Sequence, residues 1–183
     1  MVYAGHLYSG RGIDLLLSLA ERLPSVQFLF VGGEPTDVVA RQQEAAERTL
    51  NNAVFVGFVA NAVLPHYLAA GDILAMPYQA QVATSGNAGD TAAIMSPLKM
   101  FEYLAADRLI ISSDLPVLRE VLTDDVAALC QPEDVEEWEL AIRKAISEPE
   151  WGRQKAKQGR MLVEKYTWRE RVRRCLAGFN NAG

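Results

Sequence analysis

The chain has 183 residues, 50% hydrophobic and 22% charged, with a formal net charge of −5 at pH 7. That balance fits one globular domain with a substantial core, excludes a disordered chain, and argues against nucleic acid as a partner. Two cysteines, Cys130 and Cys175, match no metal spacing and imply no disulfide framework, so a reducing cytoplasm is expected. The most apolar region, 54–78, is broken by Pro65, His66, Gly71 and Asp72, too often to span a membrane. No basic stretch or cleavage site of a signal peptide is expected after Met1.

In chain order, Val2, Tyr3 and Ala4 read as a short buried strand, closed by Gly5 and His6. A glycine-bearing loop, LYSGRG over 7–12, leads into a helix over 13–23 with Leu15, Leu16, Leu19 and Leu23 on one face and Pro24 as its stop. Residues 26–31, VQFLFV, are apolar almost throughout and predict a strand buried on both faces, as in a parallel sheet. Gly32, Gly33, Glu34 and Pro35 turn the chain into a polar helix over 36–50. The pattern then repeats: strand 54–56, a loop at Gly57 and Phe58, helix 62–70, strand 73–76. A long irregular segment, 77–95, follows; loops of that length in compact domains are usually functional.

Ser96 and Pro97 form a favoured helix start, a capping hydroxyl before a proline at the first helical position. The helix they open is expected to bury Leu98, Phe101, Leu104 and Ala105 and to leave Lys99 and Glu102 as neighbours on its polar side. Leu109, Ile110 and Ile111 make the next strand, ended by the turn at Asp114, Leu115 and Pro116. A short helix over 117–122, a strand over 127–130 and a helix capped by Pro132, Glu133 and Asp134 complete the alternation. Two helices, 151–166 and 168–179, finish the chain. From Trp151 onward nine Lys and Arg stand against Glu164 and Glu170. That basic stretch reads first as a solvated face, and second as a contact for an anionic membrane surface or an acidic partner domain.

Alternating strands and helices predict an α/β fold, a Rossmann-like doubly wound parallel sheet of about six strands with C-terminal helices. Ligands of such sheets bind at the carboxyl ends of the strands, which points to loops 6–12, 32–35, 57–59 and 77–96 and to the Asp114 turn. Neither the dinucleotide fingerprint nor the phosphate-binding P-loop pattern is present. His6 and His66, the two histidines, have no partner pattern for a metal or a serine triad. What recurs is glycine after strands, which lets a ligand approach the backbone. Arg11 lies in the first such loop, where a guanidinium can grip diphosphate oxygens. Lys99 and the amides at a helix start suit phosphate, and Glu102 suits sugar hydroxyls.

Together these segments resemble the nucleotide-sugar-binding C-terminal half of a GT-B glycosyltransferase of the large retaining class, glycosyltransferase family 4. The resemblance runs over nearly all of the chain: YAGHLYSGRGIDLLLSLAERLP, FLFVGGEP, VFVGFV, AAGDILAMPY, SPLKMFEYLAADRLIISSDLPVLREVL and the Tyr166-Thr167-Trp168 motif. It implies one nucleotide-sugar-binding domain over 1–183, with a helical extension from about 151, whose N-terminal acceptor domain is absent, so the chain alone is inactive. The implied activity is hexosyl transfer with retention, without a metal or other cofactor, from a UDP- or GDP-sugar. Arg11, Lys99 and Glu102 are the implied catalytic group. His6, Gly10, Gly32, Gly33, Phe58, Ser96, Pro97 and Leu98 are the implied donor contacts. The implied partners are a nucleotide sugar and an acceptor-binding domain, in the cytoplasm at the inner face of the membrane.

Two positions depart from the family pattern. Ile94 stands where the first of two spaced glutamates is usual, and His6 where many members have arginine. The first departure leaves a second reading open, a nucleotide-sugar-binding or regulatory half-domain without transfer. A sugar-nucleotide epimerase of similar fold is a third.

Overall fold

Short apolar runs with polar punctuation become six strands: β1 (Val2–Ala4), β2 (Phe28–Val31), β3 (Ala53–Gly57), β4 (Ile73–Met76), β5 (Leu109–Ser113) and β6 (Ala127–Cys130). In the computed structural model, which describes residues 1–79 and 98–180, all neighbours pair in parallel, in the order β3-β2-β1-β4-β5-β6. This is the Rossmann-like sheet expected. Because every strand runs the same way, each connection must cross over, and helices cover both faces.

The helices are α1 (Ile13–Arg22), α2 (Pro35–Glu47), α3 (Leu64–Ala70), α4 (Leu98–Ala105), α5 (Pro116–Arg119), α6 (Val135–Ser147), α7 (Pro149–Val163) and α8 (Trp168–Asn180), with a 3-10 turn at Glu164–Tyr166 before α8. One core lies on the α1 and α6 side, where Leu16, Leu19, Phe28, Phe30, Trp138 and Ile142 are buried. The other lies under α4 and α5 and holds Val31, Leu74, Met76, Met100, Tyr103 and Leu118. Helix α6 starts at Asp134, whose carboxylate accepts from the Glu136 and Glu137 amides at 3.0 Å each, the cap its sequence predicts. Helix α7 closes on both cores through small residues: a Cβ on Gly152 would sit 3.4 Å from Leu109 of the first, and one on Gly159 would sit 2.9 Å from Leu104 of the second. Among the described residues no helix is long and apolar enough to cross a membrane.

The boundaries differ from the sequence reading in small ways. Residues 26 and 27 precede β2, α2 stops at Glu47, and α5 is a single turn.

The face of α4 differs more. Met100, Tyr103 and Leu104 are its buried residues, whereas Leu98 is 74% exposed and Ala105 is exposed as well. Of the inner stripe that periodicity predicts, Leu98, Phe101, Leu104 and Ala105, only Leu104 is buried and Phe101 half-buried, and Tyr103 takes the inward place. The Tyr103 hydroxyl favours this, because it accepts the Ala4 amide at 2.7 Å inside the protein and so satisfies a buried backbone donor. Lys99, one turn before Tyr103 on the same side of the helix, is half-buried.

Candidate functional site

The strand order reverses between β1 and β4, which pair at Val2 and Leu74. In a doubly wound sheet that reversal opens a cleft at the carboxyl ends, where the loop after β1 meets residues 77–79, which follow β4. They are joined at backbone level. The Gln79 amide donates to the Gly10 carbonyl at 3.2 Å. Gly12 has φ 73°, and a Cβ there would lie 1.7 Å from the Pro77 carbonyl oxygen. Only glycine tolerates both the left-handed backbone and that approach.

Arg11 is thereby held between the loops. Its Nη2 donates to the Tyr8 hydroxyl at 2.6 Å, and its guanidinium lies 5.0 Å from the centre of the Tyr8 ring and 5.5 Å from that of Tyr78. Its Nε is buried and has no hydrogen-bond partner among the described residues. Lys99 comes from α4 and reaches the same Tyr78 ring. Its ammonium lies 4.4 Å from the Tyr3 ring centre and 4.8 Å from that of Tyr78. Burial pushes the Lys99 ammonium down to about 7, the charge of Arg11 pushes the same way, and Glu102 opposes them. Tyr78 is buried, and its hydroxyl is pushed up to about 12 by that burial, against the pull of Arg11.

Glu102 is exposed on the outer side of α4. Leu98 is exposed beside it; Ser96 and Pro97, the predicted cap, lie outside the described residues, as does Ile94. His6 is exposed at the mouth of the first loop, its ring 5.1 Å from that of Tyr8. Gly32 and Gly33 end β2 next door. A Cβ on Gly32 would meet the Gly5 carbonyl oxygen at 2.5 Å, while the Gly32 amide donates to the Gly57 carbonyl at 2.7 Å. These contacts bring the ends of β1, β2 and β3 level, and Phe58 follows with 82% of its surface exposed.

The structure therefore gathers Arg11, Lys99 and Gly10 closely, with Glu102 near enough to act on Lys99. His6, Gly32, Gly33 and Phe58 lie along the same edge of the sheet. The four tyrosines that organise the cleft, Tyr3, Tyr8, Tyr78 and Tyr103, were not singled out from sequence. The available signal was position: Tyr3 lies in β1, Tyr78 two residues past β4, and Tyr103 four residues after Lys99, hence on its face of the helix. The Asp114 turn is otherwise employed, since its carboxylate takes the Arg119 guanidinium through both oxygens. Two hollows lie away from this edge. One is at the amino ends of the strands, near Gln27, Asp72 and Arg108; the other is beside β6, near Lys144 and Trp151. Neither borders the Arg11 and Lys99 pair, so shape and chemistry point to different places. The cleft by Arg11 and Lys99 holds two basic side chains with no ion-pair partner among the described residues, which is the chemistry that receives an anion.

Residues 1–148 match the model of the family described as "Glycosyl transferases group 1". Sulfoquinovosyl transferase SQD2 of Arabidopsis thaliana is 23% identical over 175 residues, which is 92% of this chain and 31% of that protein. The crystal structure of HepE from Anabaena in complex with UDP and glucose superposes with a TM-score of 0.77 at 17% identity, over 100% of this chain and 48% of that one. Sucrose-phosphate synthase from Thermosynechococcus elongatus gives 0.77 at 22% identity, over 100% and 46%. The chain thus spans less than half the length of each of these relatives.

Proposed function

Since the chain belongs to the family of group 1 glycosyl transferases, we propose that it is the donor-binding part of an enzyme that moves a sugar from a nucleoside-diphosphate sugar to an acceptor. The observation that carries this reading is the meeting of Arg11 and Lys99 on one tyrosine ring at the β1–β4 cleft. As the glycosidic C–O bond breaks, its electron pair goes to the diphosphate oxygen. Arg11, Lys99 and the free amides at the start of α4 would stabilise that growing charge. Positive groups fixed in advance are the efficient way to do so, because nothing need reorient during the reaction. Glu102 would accept hydrogen bonds from ribose hydroxyls, His6 would donate to phosphate, and the backbone beside Phe58 would meet the base.

In this reading the two cations supply the charge that a metal ion would otherwise provide, and the reaction is metal-independent. Transfer proceeds with retention once an acceptor-binding domain closes over the cleft. The protein works in the cytoplasm, with the basic helix α8, which carries Arg169, Arg171, Arg173 and Arg174, set against the membrane. Thermal melts with UDP, GDP and ADP test the donor site. A nucleotide at one hundred times its dissociation constant adds about 2.7 kcal/mol, and no stabilisation by any of the three would sink the reading. Transfer assays on the full-length protein, with the product anomer read by NMR and with chelator added, test retention and metal independence. Ile94 favours a second reading, a half-domain that binds nucleotide sugar without transferring it; binding without turnover in the same assays would select it.

A further inference from the structure

Arg11 and Lys99 are cations that share a small space, and like charges repel. None of the ion pairs among the described residues involves either of them. Glu102 acts on Lys99 from a distance, and the groups in contact with the two cations among the described residues are aromatic. Arg11 lies over Tyr8 and Tyr78, and Lys99 over Tyr3 and Tyr78, so the Tyr78 ring is common to both. An aromatic ring attracts a cation through its quadrupole without neutralising it. A carboxylate in that place would cancel the charge and compete with an incoming phosphate.

Tyr78 is well placed for this task because its own position is determined. It is 2% exposed, and its neighbours Pro77 and Gln79 are keyed to Gly12 and Gly10 of the Arg11 loop. The ring and the loop therefore cannot shift independently. Tyr3, whose hydroxyl donates to the His6 carbonyl at 2.6 Å, fixes the opposite wall.

We propose that Tyr78 is a positioning residue for the diphosphate, its one ring holding both the Arg11 guanidinium and the Lys99 ammonium, neither of which is ion-paired to a carboxylate among the described residues. The proposal rests on the reading of the cleft as a diphosphate site. Tyr78 touches the two cations and sets their spacing. They in turn meet the phosphates.

Replacement of Tyr78 by phenylalanine carrying zero to three ring fluorines, in the full-length protein, tests this directly. Fluorine weakens the quadrupole while changing the ring volume little, so packing is nearly constant through the series. UDP and GDP are titrated calorimetrically, with uridine and guanosine as phosphate-free probes. Unfluorinated Tyr78→Phe is expected to bind the diphosphate within about threefold of the parent, and affinity then to fall with each fluorine to roughly tenfold at three. Nucleoside affinity stays level. Diphosphate affinity that is flat or rises across the series would overturn the positioning role while leaving the site intact. A parent protein that binds UDP and GDP no better than their nucleosides would overturn the diphosphate reading itself, and the role of Tyr78 with it.

Discussion

Arg11 and Arg41 approach the loop after β1 from different sides, and their surroundings could hardly differ more. Arg41 donates to Asp14 at 2.5 Å, to Glu44 at 2.7 Å and through Nε to the Leu7 carbonyl at 3.3 Å. Arg11 donates to one phenol and rests on two rings. Both guanidiniums are partly buried and both brace the same loop. The charge of Arg41 is matched by two carboxylates, so it has little left for a ligand. The charge of Arg11 is unmatched among the described residues, which is tolerable in a folded protein only because the rings reduce its cost. Neutralised arginine marks structure; arginine held by aromatics marks a place where an anion is expected.

The comparison breaks most visibly if Arg11→Ala is harmless. Loss of one preorganised contact to a leaving group costs about 10²–10³ in rate, so donor turnover should fall by that factor with the thermal midpoint nearly unchanged. Steady-state kinetics on the full-length protein decide it. Glu102→Ala should weaken UDP or GDP binding as well, and calorimetry that finds both variants at parental affinity would refute the site assignment.

Gly12→Ala comes next, and it tests the loop rather than the charge. The new methyl meets the Pro77 carbonyl, in a backbone region that side chains avoid. Strain and clash together should cost about 3 kcal/mol or more, read as a lower denaturation midpoint. Unchanged stability would mean that the two loops are not keyed together.

How much of this was legible beforehand follows from what each signal measures. The strands announced themselves because a parallel sheet needs apolar runs, and FLFV, ILAM and LIIS have them. Arg11 was visible because it sits between two glycines after a strand. The orientation of α4 was hidden, since Tyr103 is apolar along its ring and polar at its tip, and only its partner, an amide 99 residues away, decides which counts. Tyr78 was hidden for the same reason. A pattern of hydrophobicity contains no information about which ring two cations will share.

Lys99 sharpens the contrast through pH. In the free protein burial and Arg11 hold it down to about 7, so near neutrality it is only partly protonated. A diphosphate favours the charged form and draws a proton on binding. Affinity should therefore fall as pH rises above about 7, by at most about tenfold per unit for one proton. Among the described residues the groups facing Lys99 are Tyr3, Tyr78, Arg11 and Glu102; both tyrosine hydroxyls are raised by burial and remain neutral in this range. Lys99→Arg keeps its charge throughout and should flatten the profile. A slope that persists in that variant assigns the proton elsewhere.

The smallest effect belongs to Arg41→Ala, and it is informative because it should be small. Asp14 is 63% exposed and Glu44 33%, so water screens both pairs, and exposed pairs contribute about 0–1 kcal/mol each. The bond to Leu7 adds about 1 kcal/mol. Together they predict a loss of about 1–3 kcal/mol, several degrees in midpoint for a chain of this size, shrinking as salt is added. Nucleotide affinity should stay within about twofold, since no charge available to the ligand has been removed. If Arg41→Ala instead weakens UDP binding as strongly as Arg11→Ala, carboxylate pairing does not separate the two arginines, and the loop responds as one electrostatic unit.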